Sequence, residues 1–252
     1  MSQGYEIYAV TRLIKRYDYD GACEILDLLE WQENPLYLLI QSCQHCLNFN
    51  FKKAKQLTDS LDQDLYAAFP AIMRHIDDLP ILIEGKPHQI FNELLDNLII
   101  QLEREAYTDF LGRIFQLREL LYKNAVIQFK ERKEYSLRDP IYQKKLFERR
   151  FKINQTLLNG MKEILRTGGG RWKSIVNLLS GKPMSELMDL RHRTIVAHGI
   201  ETVSLSDIKR IYGSTEQILD DLSQVFLFLN IPIRPHKYKE LNKEIIQILL
   251  GK

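Results

Sequence analysis

Apolar positions recur along most of the chain at three- and four-residue spacing. No two alternating apolar runs are joined by Asn-Gly or Asp-Gly, so the pattern predicts an all-α fold. The first third divides into short pieces, with helices expected over 5–16, Asp20–Trp31, Pro35–Leu47 and Phe51–Leu61. Two of their junctions share a signature: Tyr17-Asp18-Tyr19-Asp20-Gly21-Ala22 recurs as Phe49-Asn50-Phe51-Lys52-Lys53-Ala54, 32 residues later. Aromatics that fill a groove, and a small alanine where two helices approach, are packing features of stacked helical hairpins.

Pro80 and the run Glu84-Gly85-Lys86-Pro87 punctuate the chain and predict a domain boundary. Residues 1–86 read as a short helical-hairpin, six-helix-like linker module, and 87–252 as a helical bundle. In the bundle a helix is expected from Phe91 towards Tyr107 and another from Thr108 to Lys133. Further helices are expected over 140–166, 171–180, 185–198, 206–229 and 238–250, separated by Gly168-Gly169-Gly170, Gly181-Lys182-Pro183 and Gly199.

Composition narrows the class. With 252 residues, 45% of them hydrophobic, the chain can bury a core without covalent staples, and its three cysteines cannot complete a disulfide framework. The N-terminus lacks a basic-then-apolar leader and no apolar run is long enough to span a bilayer, which predicts a reduced, cytosolic protein without a membrane partner. The net charge of +2 hides an asymmetry. Residues 1–100 carry 8 Lys and Arg against 15 Asp and Glu, whereas residues 113–173 carry 16 against 6. A basic segment beside an acidic one suits a polyanion held through one region, or, equally, a solvated helix face.

Several chemistries are unsupported. Gly168-Gly169-Gly170 is not followed by the Lys-Ser/Thr of a phosphate-cradling loop. Cys43-Gln44-His45-Cys46 has the spacing of half a zinc site but no second half, and lies in an expected helix. Asp77-Asp78 and Asp220-Asp221 lack partners at ligand spacing, so neither a metal nor another cofactor is expected.

Leu187 to Gly199 differs, because it gathers Arg191, His192, Arg193 and His198 onto a stretch otherwise apolar enough to be buried. Cleavage of RNA needs a proton taken from the 2′-hydroxyl, a proton given to the leaving oxygen, and compensation of the charge that builds on phosphorus. Histidine moves protons near neutrality and arginine's fork fits phosphate oxygens. The same residues also suit a helix C-terminus, where cations meet the dipole.

The run Arg193-Thr194-Ile195-Val196-Ala197-His198 resembles the Arg, four residues, His signature of the HEPN ribonucleases, and the flanking Leu190-Arg191-His192 and Gly199 are similar to that family's wording. The hairpin module with Tyr17-Asp18-Tyr19-Asp20-Gly21-Ala22 resembles the six-helix domain of one branch, the ancillary ribonucleases of type III-A CRISPR systems. The resemblance implies a homodimer in which two motifs meet to form one composite, metal-free site for single-stranded RNA. In it Arg193 steadies the phosphate and His198 transfers a proton or orients the 2′-hydroxyl. An ideal helix sets positions five apart at about 140° around its axis, which a site shared between chains would accommodate.

The family often has a polar Asn, Asp or His after its arginine. Here Thr194 follows Arg193, whereas His192 follows Arg191 and gives a longer Arg, six residues, His reading to His198, so Arg191 is the rival motif arginine and His192 and Thr194 are supporting positions. The family also has an N-terminal sensor domain for cyclic oligoadenylate, which is not expected in this chain. Arg149, Arg150 and Lys152, interleaved with Phe129, Tyr135, Tyr142, Phe147 and Phe151, are further RNA-contact candidates, although such aromatics are more often core. Two other readings stay open: a non-catalytic RNA- or nucleotide-binding module of the same fold, as in toxin and antitoxin pairs, and a helical scaffold for a protein partner.

Overall fold

The repeated signature folds as a repeated turn. In the computed structural model, which describes residues 3–62, 66–131, 136–138, 150–195, 199–234 and 236–251, Tyr17 and Phe49 both adopt left-handed backbone, at φ 59° and 58°. Each closes one helix, and the next residue caps the following one. The Asp18 side chain accepts from the Gly21 N–H and the Asn50 side chain from the Lys53 N–H, satisfying donors that a helix start leaves orphaned. Ala22 and Ala54 are fully buried. The helices so joined are α1 (Gln3–Lys15) with α2 (Tyr19–Leu28), and α3 (Pro35–Leu47) with α4 (Phe51–Thr58); within each pair the two helices pack together, and α2 packs on α3.

The chain forms two compact units, Met1–Gln89 with Pro235–Lys252, and Ile90–Arg234. The first therefore recruits the last helix, α13 (Lys237–Leu249), which periodicity alone groups with the second domain. The reason is long-range polar pairing. Tyr19 Oη donates to Asn242 Oδ1 at 2.6 Å while Asn242 Nδ2 donates to the Ile14 carbonyl at 2.7 Å, so a buried asparagine fixes α13 to α1 and α2. Burial, opposed by this bond, pushes the Tyr19 phenol well above its usual range. Glu244 of α13 also caps α5 (Pro70–Glu84), its carboxylate accepting from the Ala71 and Ile72 N–H groups at 2.9–3.0 Å. Pro80, which reads in the sequence as part of a break, lies inside α5 on its exposed side, and the helix continues to Gly85 at φ 73°.

The second unit contains α6 (Pro87–Glu103, its first residues belonging to the first unit), α7 (Tyr107–Glu131), α8 (Arg150–Thr167), α9 (Gly170–Ser180), α10 (Lys182–His192), α11 (Leu205–Tyr212) and α12 (Thr215–Phe228). The long α7 is the hub, touched by α8, α9 and α10. Phe110, Leu111, Ile114, Leu117 and Leu121 line its fully buried face. Helix α8 approaches it at Gly160, where an added Cβ would stand 2.5 Å from Val126 Cγ1; only glycine allows this contact. The single helix expected over 206–229 is two, interrupted at Gly213 (φ 92°) and restarted by the Ser214 side chain capping Gln217 N–H. Among the described residues there is no strand, only an isolated bridge between Thr194 and Glu201, and no helix is long and apolar enough to cross a membrane.

Candidate functional site

Helix α10 carries Arg191 and His192 at its end, with Arg193 next in the chain, on a backbone held by its buried Met184, Leu187, Met188 and Leu190. It ends at His192, short of the expected 198, and the cause is local. Thr194 turns its hydroxyl back to the Arg191 carbonyl at 2.7 Å and its N–H to the same oxygen at 3.0 Å, which diverts an acceptor the next helical turn would need. Arg193 is the C-cap. The chain then closes a tight loop, with Gly199 N–H donating to the Thr194 carbonyl at 3.0 Å and Glu201 N–H to the Arg193 carbonyl at 2.9 Å. A Cβ on Gly199 would fall 1.8 Å from the Arg193 carbonyl oxygen, so the loop requires glycine here. Arg193 consequently belongs to a pinned loop, and the angular relation of positions on one ideal helix does not govern it.

The two arginines occupy opposite circumstances. The Arg191 guanidinium lies over the Phe115 ring of α7, 4.0 Å from its centroid, and the exposed His192 meets the same ring edge-on at 6.4 Å. Arg193 extends into solvent, 54% exposed, and pairs through Nη1 with Glu201 Oε2 at 3.3 Å. Nearby Asp207 is held below the usual carboxylate range by the Ser204 hydroxyl and N–H, with Arg210 and Arg193 adding to the effect. Thr194 is fully buried and serves the helix end rather than the solvent-facing surface. On either side of the loop Ile195 and Ile200 are 78% and 93% exposed.

The structure thus brings Arg191 and His192 together on Phe115 and sets Arg193 with Glu201. His198, with Val196 and Ala197, lies outside the described residues, as do Arg149, Tyr135, Tyr142 and Phe147. Arg150, Phe151 and Lys152 are described only as backbone at the start of α8. Phe129 packs edge-on against Trp172, 5.5 Å between centroids, on a cluster of Val126, Ile164 and Val176, which is a core role. Phe115 and Glu201 carried no signal in the pattern: one contributes a face from a distant helix, the other an acid whose relation to Arg193 depends on loop closure.

The cysteine pair of α3 is structural in its setting, Cys43 and Cys46 being fully buried and all three cysteines reduced. Among the described residues no three His, Cys, Asp or Glu side chains group so as to hold a metal ion.

Residues 81–246 match the family model described as Cas_Csm6 HEPN domain. The match begins within α5 and ends within α13, and so takes in the whole of the second unit. Among curated proteins, no significant match to the chain was found. Since the match covers well over half of the chain, including the whole Arg193 loop, the chain belongs to the Cas_Csm6 HEPN domain family, a family of CRISPR-associated HEPN ribonucleases.

Proposed function

We propose that this protein is a metal-independent endoribonuclease that cleaves single-stranded RNA in type III CRISPR antiviral defence, with Arg193 and His198 forming a composite site at a homodimer interface. The observation that carries the reading is the Arg193 loop. It offers a guanidinium to solvent at a helix end, on a backbone fixed by two hydrogen bonds, inside the segment that matches the family. A prearranged cation of this kind stabilises charge developing on a phosphorane without having to reorganise during the reaction.

In the proposed reaction the 2′-hydroxyl loses its proton and its oxygen bonds to phosphorus. The bond from phosphorus to the 5′-oxygen breaks, and that oxygen is protonated as it leaves. The products are a 2′,3′-cyclic phosphate and a 5′-hydroxyl. Arg193 holds the non-bridging oxygens and His198 handles a proton or orients the nucleophile. Arg191 is the weaker candidate for phosphate, since its guanidinium is held on Phe115 with Nε buried, whereas the Arg193 side chain is exposed. The exposed Ile195 and Ile200 beside Arg193 favour a loop that is covered by a second copy, because isolated apolar side chains are ordinary on a surface but two flanking one cation make a small contact patch.

The Arg193–Glu201 pair favours a second reading, a module of the same fold that binds RNA or nucleotide without cutting it, in which Glu201 keeps Arg193 from serving the reacting phosphate. One assay separates the two. End-labelled single-stranded RNA is incubated in excess EDTA with wild type and with His198→Ala. The ribonuclease reading expects products with cyclic phosphate ends from wild type alone; salt-sensitive binding without products would support the binding module instead.

A further inference from the structure

The acid beside Arg193 is placed there by the backbone. Glu201 N–H donates to the Arg193 carbonyl, and residue 201 bridges to Thr194, so loop closure delivers the carboxylate to the guanidinium whatever the pair itself contributes. That contribution is small: at 54% and 52% side-chain exposure, water and salt screen the charges. Asp207, the other acid that acts on Arg193, is committed elsewhere, accepting from Ser204 N–H at 3.1 Å, Ser204 Oγ at 2.6 Å and Arg210 at 3.0 Å as part of the cap of α11. Arg193 is the ion-pair partner of Glu201 among the described residues.

A carboxylate and a phosphodiester offer the arginine fork the same pair of anionic oxygens. We propose that Glu201 is an internal counter-ion that occupies Arg193 in the RNA-free protein and is displaced by an RNA phosphate, so that it sets the threshold of RNA binding rather than the rate of cleavage. The weakness of the exposed pair is what makes the exchange possible. A buried pair would not yield to a single phosphate, whereas this one shields the cation from adventitious anions and releases it on contact with RNA. Glu201 is thus a positioning residue acting through Arg193, and the proposal rests on the reading of Arg193 as the phosphate contact.

The test is a double-mutant cycle in binding, using a 2′-O-methyl single-stranded oligonucleotide, which lacks the nucleophile. Dissociation constants are measured against salt for wild type, Glu201→Gln, Arg193→Ala and the double variant. Glu201→Gln should tighten binding about two- to fivefold at low salt. Arg193→Ala should flatten the dependence of log K on log salt by about 0.7, the loss of one phosphate contact on a single strand, whether residue 201 is Glu or Gln. The tightening by Glu201→Gln should not occur in the Arg193→Ala background. With cleavable RNA, Glu201→Gln should lower KM and leave kcat as it is, the mark of uniform binding. Equal or weaker binding by Glu201→Gln, or the same tightening without Arg193, overturns the proposal, as does absence of binding by wild type and variant alike. A wild type that binds but does not cut refutes the ribonuclease reading and leaves the cycle readable.

Discussion

Helix ends at Tyr17 and Phe49 and the helix end at Arg193 solve the same problem in opposite ways. In the first unit each end turns through a left-handed aromatic, caps the next helix with Asp18 or Asn50, and buries the aromatic and alanine that come after the cap. Tyr17, Tyr19, Phe51, Ala22 and Ala54 are all buried. At Arg193 the chain turns through an ordinary right-handed residue, closes by main-chain bonds, and leaves Arg193, Ile195 and Ile200 outside. A junction whose purpose is packing buries its side chains. The Arg193 loop instead uses its hydrogen bonds for shape and leaves the Arg193, Ile195 and Ile200 side chains available, which is the expected arrangement where a scaffold serves a ligand or a second chain.

The contrast can be abolished at the loop. Gly199→Ala forces the Cβ against the Arg193 carbonyl, so the loop must open by more than an ångström. RNA cleavage should fall about 10²-fold, since misplacement on this scale is enough to spoil catalytic geometry, while the melting temperature stays near that of wild type. Parallel cleavage assays and thermal melts check this. Unchanged cleavage would mean that the loop's closure is incidental to the site.

The converse experiment belongs to the first unit. Asn242→Ala strands the Tyr19 hydroxyl and the Ile14 carbonyl, both buried, and should cost about 2 kcal/mol of stability with no loss of cleavage by the folded fraction. Urea titration of the variant measures it. A drop in turnover at full folding would show that the two regions are not divided between packing and chemistry in this way.

These two positions also mark how far the sequence was legible. The all-α class, the short helices of the first unit and the repeated turn follow from periodicity and from cap residues lying beside the helices they start. Helix α5 did not, because Pro80 reads as a breaker and the cap that starts the helix, Glu244, is 173 residues from Ala71. The return of α13 was hidden for the same reason, its anchor being the 223-residue separation of Tyr19 and Asn242. At the candidate site the residues of the motif were visible but their setting was not. Thr194, noted for following Arg193, ends the helix through its own hydroxyl, and the stacking of Arg191 on Phe115 depends on packing of α10 against α7.

A smaller effect bears on the first unit as a packed body. His75 is fully buried, with Nε2 3.0 Å from Ser42 Oγ, and burial, aided by the charge of Lys237, holds its pKa well below 6.5. Lys237 itself faces Asp78 at 4.0 Å. The unfolded chain gains a proton at His75 below about pH 6.5 while the folded chain stays neutral. The contribution is therefore complete above that pH and is lost as pH falls beneath it, at up to about 1.4 kcal/mol per unit. Denaturant midpoints between pH 7.5 and 5.5 for wild type and His75→Gln should diverge with this sign; parallel curves would exclude His75 as a source of acid sensitivity.

On the proposed reading Arg193 in its loop, and not Arg191 on Phe115, meets the phosphate. The most direct test compares Arg193→Ala and Arg191→Ala in the metal-free cleavage assay, with a thermal melt of each. Arg193→Ala should lose about 10²- to 10³-fold in kcat/KM and melt like wild type. Arg191→Ala should keep most of its activity and melt lower, having lost its stack on Phe115. The opposite ranking, with Arg191→Ala inactive and Arg193→Ala active, would contradict that assignment.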